Sequence, residues 1–359
     1  MKNYQDTLMY KEINETPLIL STLIDINLPT LLKVKEEFEK REIRFSYVTG
    51  RGTSENALLF YRYLIGVKMG LPVDIASPSV ITVYNSVMKY DNSLVIAVSQ
   101  SGEAMDGIEI IKQAKAQGAL TVAITNFTDS PLAKLADYHL YLNCKEEKSL
   151  AATKTYSAQM YLLSALVDIL ANDKESLDKL YHLPSELLSF KDEAESLSDK
   201  LSDSIKDVKD GFVVTRGISL GLADEARIKM SETCYMRLQS YSSVAFYHGP
   251  LAMVDNGTFA LIIAPKYGPK GSLDDFRNES FKECVDKLNS LGADVHVLTN
   301  NLGLISNKAK FYSFSSSLTE EYLIFLLAFV IQLSTVKVAC KKGLDPDKPR
   351  SLKKVTLTK

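Results

Sequence analysis

The fold is decided by one stretch, Leu94-Val-Ile-Ala-Val-Ser-Gln-Ser-Gly-Glu-Ala-Met-Asp106. Five apolar residues lead into two serines around a glutamine, and an apolar stripe at helical spacing follows at Met105, Ile108, Ile111 and Ala114. This order predicts a buried strand that feeds a helix. The turn between them lies at a helix N-terminus, where backbone N–H groups and the helix dipole favour an anion.

The residues of this turn, Ser99, Gln100 and Ser101, are called the serine turn below. The alternative to an anion site is ordinary capping of the helix by serine. Capping needs only one of the two hydroxyls, and it leaves Gln100 unexplained. The sequence therefore predicts an oxyanion or phosphate site at this turn.

Composition narrows the function classes. A length of 359 residues predicts two domains, and a net charge of −2 disfavours nucleic-acid and anionic-membrane binding. The cysteines have no zinc-site or disulfide-frame spacing, which favours reduced thiols and a cytoplasmic protein. The cysteines are Cys144, Cys234, Cys284 and Cys340. The charged N-terminus is unlike a signal peptide, and the longest apolar run, 322–331, is shorter than the roughly 20 residues that span a bilayer.

Strand and helix patterns alternate along the first half of the chain, which predicts an α/β fold with a parallel sheet and helices on both faces. The predicted strands are 45–48, 73–77, 94–98, 120–125 and 138–142. Thr16 and Pro17 predict an N-cap and first turn of a helix that runs towards Lys40. Residues 187–208 predict one amphipathic helix that links to a second domain.

The second half echoes the first, which indicates a duplicated α/β unit. Residues 48–54 match 214–219, and residues 116–125 match 290–299. The echo of the serine turn, at 259–268, has lost both serines. The predicted organisation follows from this comparison. It comprises an N-terminal segment (1–30), a first domain (31–170), linker helices (171–208), a second domain (209–340) and a C-terminal tail (341–359).

Two further clusters are candidates for substrate binding. Gly52, Thr53 and Ser54 form another turn between a strand and a helix, and such turns converge at the carboxyl ends of parallel strands. Helix capping alone would also explain them. Ala151 and Ala152 are small residues that open a predicted helix, and packing alone would also explain them.

Acid–base chemistry is expected from the segment 223–255. Glu225 and Glu232 are seven residues apart, so two helical turns place both on one face. His248 precedes Gly-Pro and therefore lies in a turn, whereas His139 and His296 lie inside strand patterns typical of satisfied core histidines. A carboxylate and an imidazole beside a phosphate turn are what proton transfer on a sugar phosphate requires. Metal-ligand spacing is absent from the sequence, and neither metal nor cofactor is expected.

These motifs together resemble the sugar isomerase (SIS) family in order and spacing. The resemblance rests on 52–54, 99–103, 151–154, Glu232 and 248–251, with the opening 11–17 and the tail 349–354. It is nearest to the isomerase half of glucosamine-6-phosphate synthase and to stand-alone SIS-type deaminases and deglycases. The resemblance implies two tandem SIS domains, each a parallel sheet flanked by helices.

The resemblance also implies roles for single residues. The serine turn, with Thr53 and Ser54, holds the sugar phosphate, Glu232 moves a proton between C1 and C2, and Glu225 supports the site. His248 opens the sugar ring and, in the synthase, reaches in from the partner subunit. Lys354 in the tail meets the open-chain sugar and can form a Schiff base. A homodimer with shared active sites is therefore implied.

Departures from the family pattern bear on the substrate. Ala104 stands where the family often has Thr, and Ala152 stands where the synthase has Ser. Ala245 and Tyr247 replace an acidic and a basic residue before the histidine. The Ala-Ala-Thr-Lys form is more similar to the deaminases, and a glutaminase domain is not expected in this chain.

The sequence thus predicts an enzyme that isomerises and deaminates an amino-sugar 6-phosphate. Two alternatives stay open. One is a deglycase that cleaves an amine from C1 of a fructosamine 6-phosphate, and the other is a sugar-phosphate sensor without catalysis. Glu232, His248 and Lys354 argue against the sensor, because binding alone needs none of them.

Overall fold

The computed structural model describes residues 2–267 and 273–352. They form two compact units. One unit comprises Asn14–Lys148 and Ala152–Glu186. The other comprises Ser149–Ala151 and Leu187–Arg350, together with the N-terminal residues up to Ile13.

The first sheet has five parallel strands in the order β2-β1-β3-β4-β5. Its strands are β1 (Phe45–Thr49), β2 (Val73–Ile75), β3 (Ser93–Val98), β4 (Leu120–Thr125) and β5 (Tyr138–Tyr141). The helices of this half are α1 (Leu8–Lys40), α2 (Thr53–Met69), α3 (Ser79–Thr82), α4 (Met105–Ala116), α5 (Pro131–Leu135), α6 (Lys154–Leu170) and α7 (Lys174–Ser189). Every residue of β3 and β4 is buried, as expected for the centre of a sheet covered on both faces.

The second sheet also has five parallel strands, in the order β10-β9-β8-β6-β7. Its strands are β6 (Asp210–Thr215), β7 (Arg237–Ser242), β8 (Phe259–Ile263), β9 (Asp294–Thr299) and β10 (Lys310–Ser313). The helices are α8 (Lys191–Ile205), α9 (Leu220–Cys234), α10 (Ser243–Tyr247), α11 (Leu273–Ser290) and α12 (Glu320–Lys341). With strands numbered within each sheet, the two orders are identical. The predicted duplicated α/β architecture is therefore confirmed.

The first helix starts at Leu8 rather than at Pro17, nine residues earlier than the sequence indicates. Thr16 and Pro17 lie inside α1, so the predicted N-cap at Thr16 is wrong. The carboxylate of Asp347 accepts hydrogen bonds from the backbone N–H groups of Leu8 and Met9, both at 2.9 Å. A negative charge at this position stabilises a helix N-terminus, and a carboxylate 339 residues away in sequence has no local signal.

The predicted single helix over 187–208 is also wrong, because the structure has two helices that meet at Phe190. The periodic apolar positions are nevertheless buried as predicted up to Ile205, and α8 packs against α12. Phe190 itself packs against Phe314, with the ring centroids 4.7 Å apart. An aromatic tertiary contact is thus made at the residue where α7 ends and α8 begins.

Two helices, α1 and α12, are long and apolar enough to span a membrane by length and composition. The apolar run 322–331 lies in the N-terminal half of α12. The sequence pattern thus underestimated the length of the buried segment, which extends to Cys340. All of the apolar window of α12 is buried in the structure, which is typical of a core helix. In the most apolar 18-residue stretch of α1, 39% of the residues are buried.

Candidate functional site

The serine turn follows β3 directly, and both serine hydroxyls accept hydrogen bonds from backbone N–H groups inside the turn. Ser99 Oγ accepts from Gly102 N–H at 3.1 Å, and Ser101 Oγ accepts from Glu103 N–H at 3.3 Å. α4 begins only at Met105, after Ala104, and has no side-chain cap. Ordinary serine capping of α4 is therefore not what these hydroxyls do, and each retains its own O–H to donate.

Gly102 is required where the serine turn meets the next loop. Its φ is +68°, and a Cβ built there would lie 2.2 Å from Ser130 Oγ and 3.2 Å from a methyl carbon of Thr125. Gly102 C=O also accepts a hydrogen bond from Leu132 N–H at 3.1 Å. The turn is thus held against the β4–α5 connection by a contact that only glycine permits.

Thr125 also forms a hydrogen-bonded pair with a partly buried histidine. His139 on β5 contacts Thr125 Oγ1 at 2.8 Å, and burial lowers the pKa of its imidazole. On the second sheet, His296 is fully buried and contacts Tyr312 Oη at 2.9 Å and Asp294 at 3.1 Å. Both histidines are satisfied within the fold, as the strand patterns predict.

A second turn connects β1 to α2, and residues 50–54 are called the arginine turn below. Gly52 has a φ of +55°, and α2 starts at Thr53. Ser54 is 7% exposed, and its Oγ accepts a hydrogen bond from Gln159 Nε2 on α6 at 3.1 Å. The candidates Thr53 and Ser54 therefore lie on the first turn of a helix, with the second serine fixed from behind.

An ion pair joins the arginine turn to the first turn of α4. Arg51 Nε–H and Nη2–H donate to Asp106 Oδ2 at 2.9 and 2.6 Å. Asp106 lies in the first turn of α4, and its side chain is 13% exposed, against 56% for Arg51. Arg51 is not among the candidates predicted from the sequence. The sequence signal that could have indicated it is its position between Gly50 and Gly52, in a segment that is repeated at 214–219.

The loop before α6 carries the small-residue candidates. Ala151 is buried, and Ala152 is partly exposed. The buried carboxylate of Glu147 accepts hydrogen bonds from Thr153 N–H at 2.9 Å and Thr155 Oγ1 at 2.6 Å, so it caps α6. This carboxylate fixes the end of the loop at which the two alanines lie.

The helix α9 aligns two acids on one lysine. Lys229 Nζ lies 2.7 Å from Glu232 Oε2 and 3.7 Å from Glu225 Oε1. The side chains of Glu225 and Lys229 are 1% exposed, whereas that of Glu232 is 24% exposed. The prediction that both acids share a face is confirmed. Lys229 was missed, although its spacing of four and three residues from the acids was visible.

His248 lies in the predicted turn. It is exposed and follows α10, and its backbone N–H donates to Ala245 C=O at 3.1 Å. Gly249 has a φ of +150°, and Pro250 opens a 3-10 turn. The short helix is anchored by fully buried Phe246, so the imidazole is presented on a fixed support.

The second sheet carries an echo of the arginine turn that is closed by an internal carboxylate. Arg216 and Gly217, with a φ of +69°, repeat the positions of Arg51 and Gly52. Ser219 Oγ donates to Glu320 Oε1 at 3.0 Å, and Tyr267 Oη donates to the same oxygen at 3.1 Å. Hydroxyl donors at this turn thus have a carboxylate of the chain itself as their anion.

The structure brings some candidates together within each unit. The serine turn and the arginine turn lie in the unit of the first sheet, which also contains Ala152. Glu225, Glu232 and His248 lie in the unit of the second sheet, which also contains Ala151. Lys354 lies outside the described residues.

The part of the chain that contains the first sheet matches a known domain family. Residues 44–169 match the SIS domain. Over 96% of its length, the chain is 29% identical to a glutamine–fructose-6-phosphate aminotransferase (isomerizing) of Sulfurisphaera tokodaii, and it covers 56% of that protein. The chain thus spans about half the length of the curated relatives it matches.

Solved structures match nearly the whole chain. A candidate phosphosugar isomerase from Silicibacter pomeroyi superposes with a TM-score of 0.83 at 29% identity, covering 95% of this chain and all of the other. Glucosamine-6-phosphate deaminase from Thermotoga maritima superposes with a TM-score of 0.77 at 22% identity, covering 98% and 100%. The tandem architecture is therefore shared with both proteins.

Proposed function

We propose, from the match of residues 44–169 to the SIS domain, that this chain is an enzyme that isomerises and deaminates an amino-sugar 6-phosphate. Proton transfer between C1 and C2 converts the C2 amine to an imine. Addition of water then releases ammonia and leaves a ketose 6-phosphate. The isomerizing aminotransferase relatives support a hexose 6-phosphate as the substrate class.

The arrangement of Glu225, Lys229 and Glu232 on α9 carries this proposal. Proton transfer at a sugar carbon needs a carboxylate that is held in place and can still be reached. Glu232 fits, because its hydrogen bond to Lys229 fixes one oxygen while 24% of the side chain is exposed. Glu225 is buried and balances the charge of the lysine, so we assign it a supporting role.

The serine turn is our candidate for the phosphate site. Its two hydroxyls already accept backbone N–H groups, which leaves both O–H groups as donors to an anion. Gly102 fixes the turn by a contact with Ser130. Gln100, Gly52, Thr53, Ser54, Ala151 and Ala152 complete the proposed binding residues, as the family resemblance implies.

Roles for the remaining residues come from the resemblance. His248 is proposed to open the sugar ring, and its exposure in a fixed turn suits proton exchange with a ligand. Lys354 is proposed to meet the open-chain sugar. A homodimer in which each subunit lends His248 to the other is proposed on the same basis. The four cysteines are buried free thiols, consistent with the proposed cytoplasmic location.

A two-channel assay tests the function. Purified protein is incubated with hexosamine 6-phosphates, fructosamine 6-phosphates and amine-free hexose 6-phosphates, and both ammonia and aldose–ketose conversion are followed. We expect ammonia and a ketose 6-phosphate from a hexosamine 6-phosphate, and neither product with Glu232→Gln. Free amine from a fructosamine 6-phosphate alone would indicate a deglycase. Binding of sugar phosphate without any turnover would indicate a sensor.

A further inference from the structure

The proposed phosphate site has a charge problem. The serine turn offers hydroxyls and backbone N–H groups, whereas a phosphate monoester carries about −1.5 to −2 charges at neutral pH. The charged residues that follow the turn, Glu103 and Asp106, are both acidic. A cation close to the turn would therefore offset these two acidic charges and strengthen the binding of a dianion.

Arg51 is the cation that the fold delivers. It leaves the carboxyl end of β1 in the arginine turn, and its guanidinium reaches the first turn of α4 at Asp106. The two candidate turns end neighbouring strands, since Thr49 of β1 is the partner of Ala97 of β3. The guanidinium thus lies at the N-terminal end of the helix that the serine turn precedes.

The bonding pattern leaves Arg51 able to bind an anion. A guanidinium has five N–H donors, and the contacts to Asp106 use one on Nε and one on Nη2, both to the single oxygen Oδ2. Three N–H groups remain beyond this pair, and 56% of the side chain is exposed. Arginine binds phosphate through two parallel hydrogen bonds, which a held guanidinium makes at lower entropic cost.

We propose that Arg51 binds the phosphate of the substrate together with the serine turn, and that Asp106 positions its guanidinium. This proposal rests on the function proposed above and names the charge partner in the same site. It also accounts for Ala104. The hydroxyl that the family often has at this position is absent, and the arginine supplies donors of higher charge.

The second sheet provides an internal control. Arg216 occupies the repeated position and donates from Nη1 to Ser280 Oγ at 2.9 Å, on α11. There the turn's hydroxyl, on Ser219, is already bonded to Glu320. Since that turn has an internal carboxylate as its anion, Arg216 is expected to have no part in phosphate binding.

The experiment compares Arg51→Ala, Arg51→Lys, Asp106→Asn and Arg216→Ala with the wild-type protein. Inorganic phosphate is the binding probe, measured by calorimetry, and KM and kcat are measured for the best sugar phosphate. Arg51→Ala should weaken phosphate binding and raise KM about 10- to 100-fold, as expected for lost hydrogen bonds to a charged group, with little change in kcat. Arg51→Lys should recover part of the loss.

Asp106→Asn should give a smaller rise in KM, because the guanidinium remains but is no longer held. In the wild type, KM for the sugar phosphate should fall as pH rises through the second ionisation of its phosphate monoester at about 6, and Arg51→Ala should flatten this dependence. Arg216→Ala should match the wild type in both measurements. Circular dichroism and thermal melting confirm that each variant is folded.

Two failures are distinguishable. If Arg51→Ala binds inorganic phosphate and sugar phosphate as the wild type does, Arg51 only joins the arginine turn to α4 and this inference is overturned. If the wild type converts no sugar phosphate, but binds inorganic phosphate and Arg51→Ala does not, the proposed reaction is wrong and the proposed phosphate site is supported. An equal loss with Arg216→Ala would also overturn the assignment, since it would indicate nonspecific attraction.

Discussion

Lys229 and Glu232 form a 2.7 Å ion pair on α9, in which the lysine is buried and the glutamate is not. The same ammonium group faces Glu225, whose side chain is as buried as the lysine. One buried cation thus faces two acids, of which only Glu232 is partly exposed. This difference in exposure is the basis on which we propose different roles for the two glutamates.

Glu232→Gln should retain substrate binding and lose turnover by roughly 10²- to 10⁴-fold, because glutamine keeps the shape but cannot take a proton. Solvent-deuterium exchange at C1 or C2 of the sugar measures the proton transfer directly. Exchange that persists in Glu232→Gln would transfer the role of base to another group, with Glu225→Gln as the next variant to examine.

Lys229→Met should destabilise the unit of the second sheet by about 3–5 kcal/mol, because it leaves buried Glu225 without its cation. The free energy of unfolding in urea measures the loss. The control is Lys40→Met, which removes an i,i+3 pair with Glu37 at the surface and should cost far less, because solvent screens that pair. Adding Glu225→Gln to Lys229→Met should restore part of the stability. Equal losses for Lys229→Met and Lys40→Met would contradict a buried charge network.

Ser101→Ala should raise KM for a sugar phosphate by roughly tenfold, since it removes one donor to a charged ligand, and kcat should change little. Ser21→Ala, at an exposed serine on α1 in the same unit, is the control and should leave KM unchanged. A collapse of kcat at constant KM would show that the turn does not bind the phosphate.

Gly102→Ala should destabilise the unit of the first sheet by more than about 1 kcal/mol, because the φ of +68° and the 2.2 Å approach to Ser130 both exclude a Cβ. Adding Ser130→Gly removes the clashing atoms and should restore part of the loss. Gly66→Ala is the control, since nothing lies within 4 Å of its new Cβ, and it should stabilise α2 by roughly 0.5–1 kcal/mol. The melting temperatures of the three variants measure these changes. A melting temperature of Gly102→Ala equal to that of the wild type would contradict the prediction.

The shared site of the proposed homodimer is tested by complementation. Inactive chains with Ser99→Ala and Ser101→Ala are mixed with inactive His248→Ala chains, and hybrid dimers should regain a fraction of the activity because one site is intact. Subunit exchange is verified by mass. Exchange without recovery would mean that each chain supplies its own histidine.

The sheets were predictable because parallel strands buried on both faces have a distinctive apolar pattern. β3, β4 and their echoes β8 and β9 are such strands. The helix ends were less predictable. The start of α1 is fixed by Asp347, and no local pattern near Leu8 contains that information.

The positions of the candidate turns and acids could be predicted from the sequence, and the cations beside them could not. Glu225 and Glu232 follow from helical periodicity, and their shared face was found. Lys229 and Arg51 are common residue types at surfaces, so their sequence context alone does not distinguish a buried or bridging cation from a solvated one. Only the packing around α9 and the approach of α4 to β1 separate these cases.

The burial of α12 from Tyr322 to Cys340 has a consequence for synthesis on the ribosome. The residues of the first sheet and its helices, up to Glu186, emerge long before α12, so that unit can fold early. In the other unit, α8 and α9 pack against α12, which is the last of the described helices to be synthesised. The apolar surfaces of α8 and α9 that α12 covers stay exposed until then. Nascent chains that stall before residue 320 therefore present an unfinished core, and a chaperone is most needed in that interval.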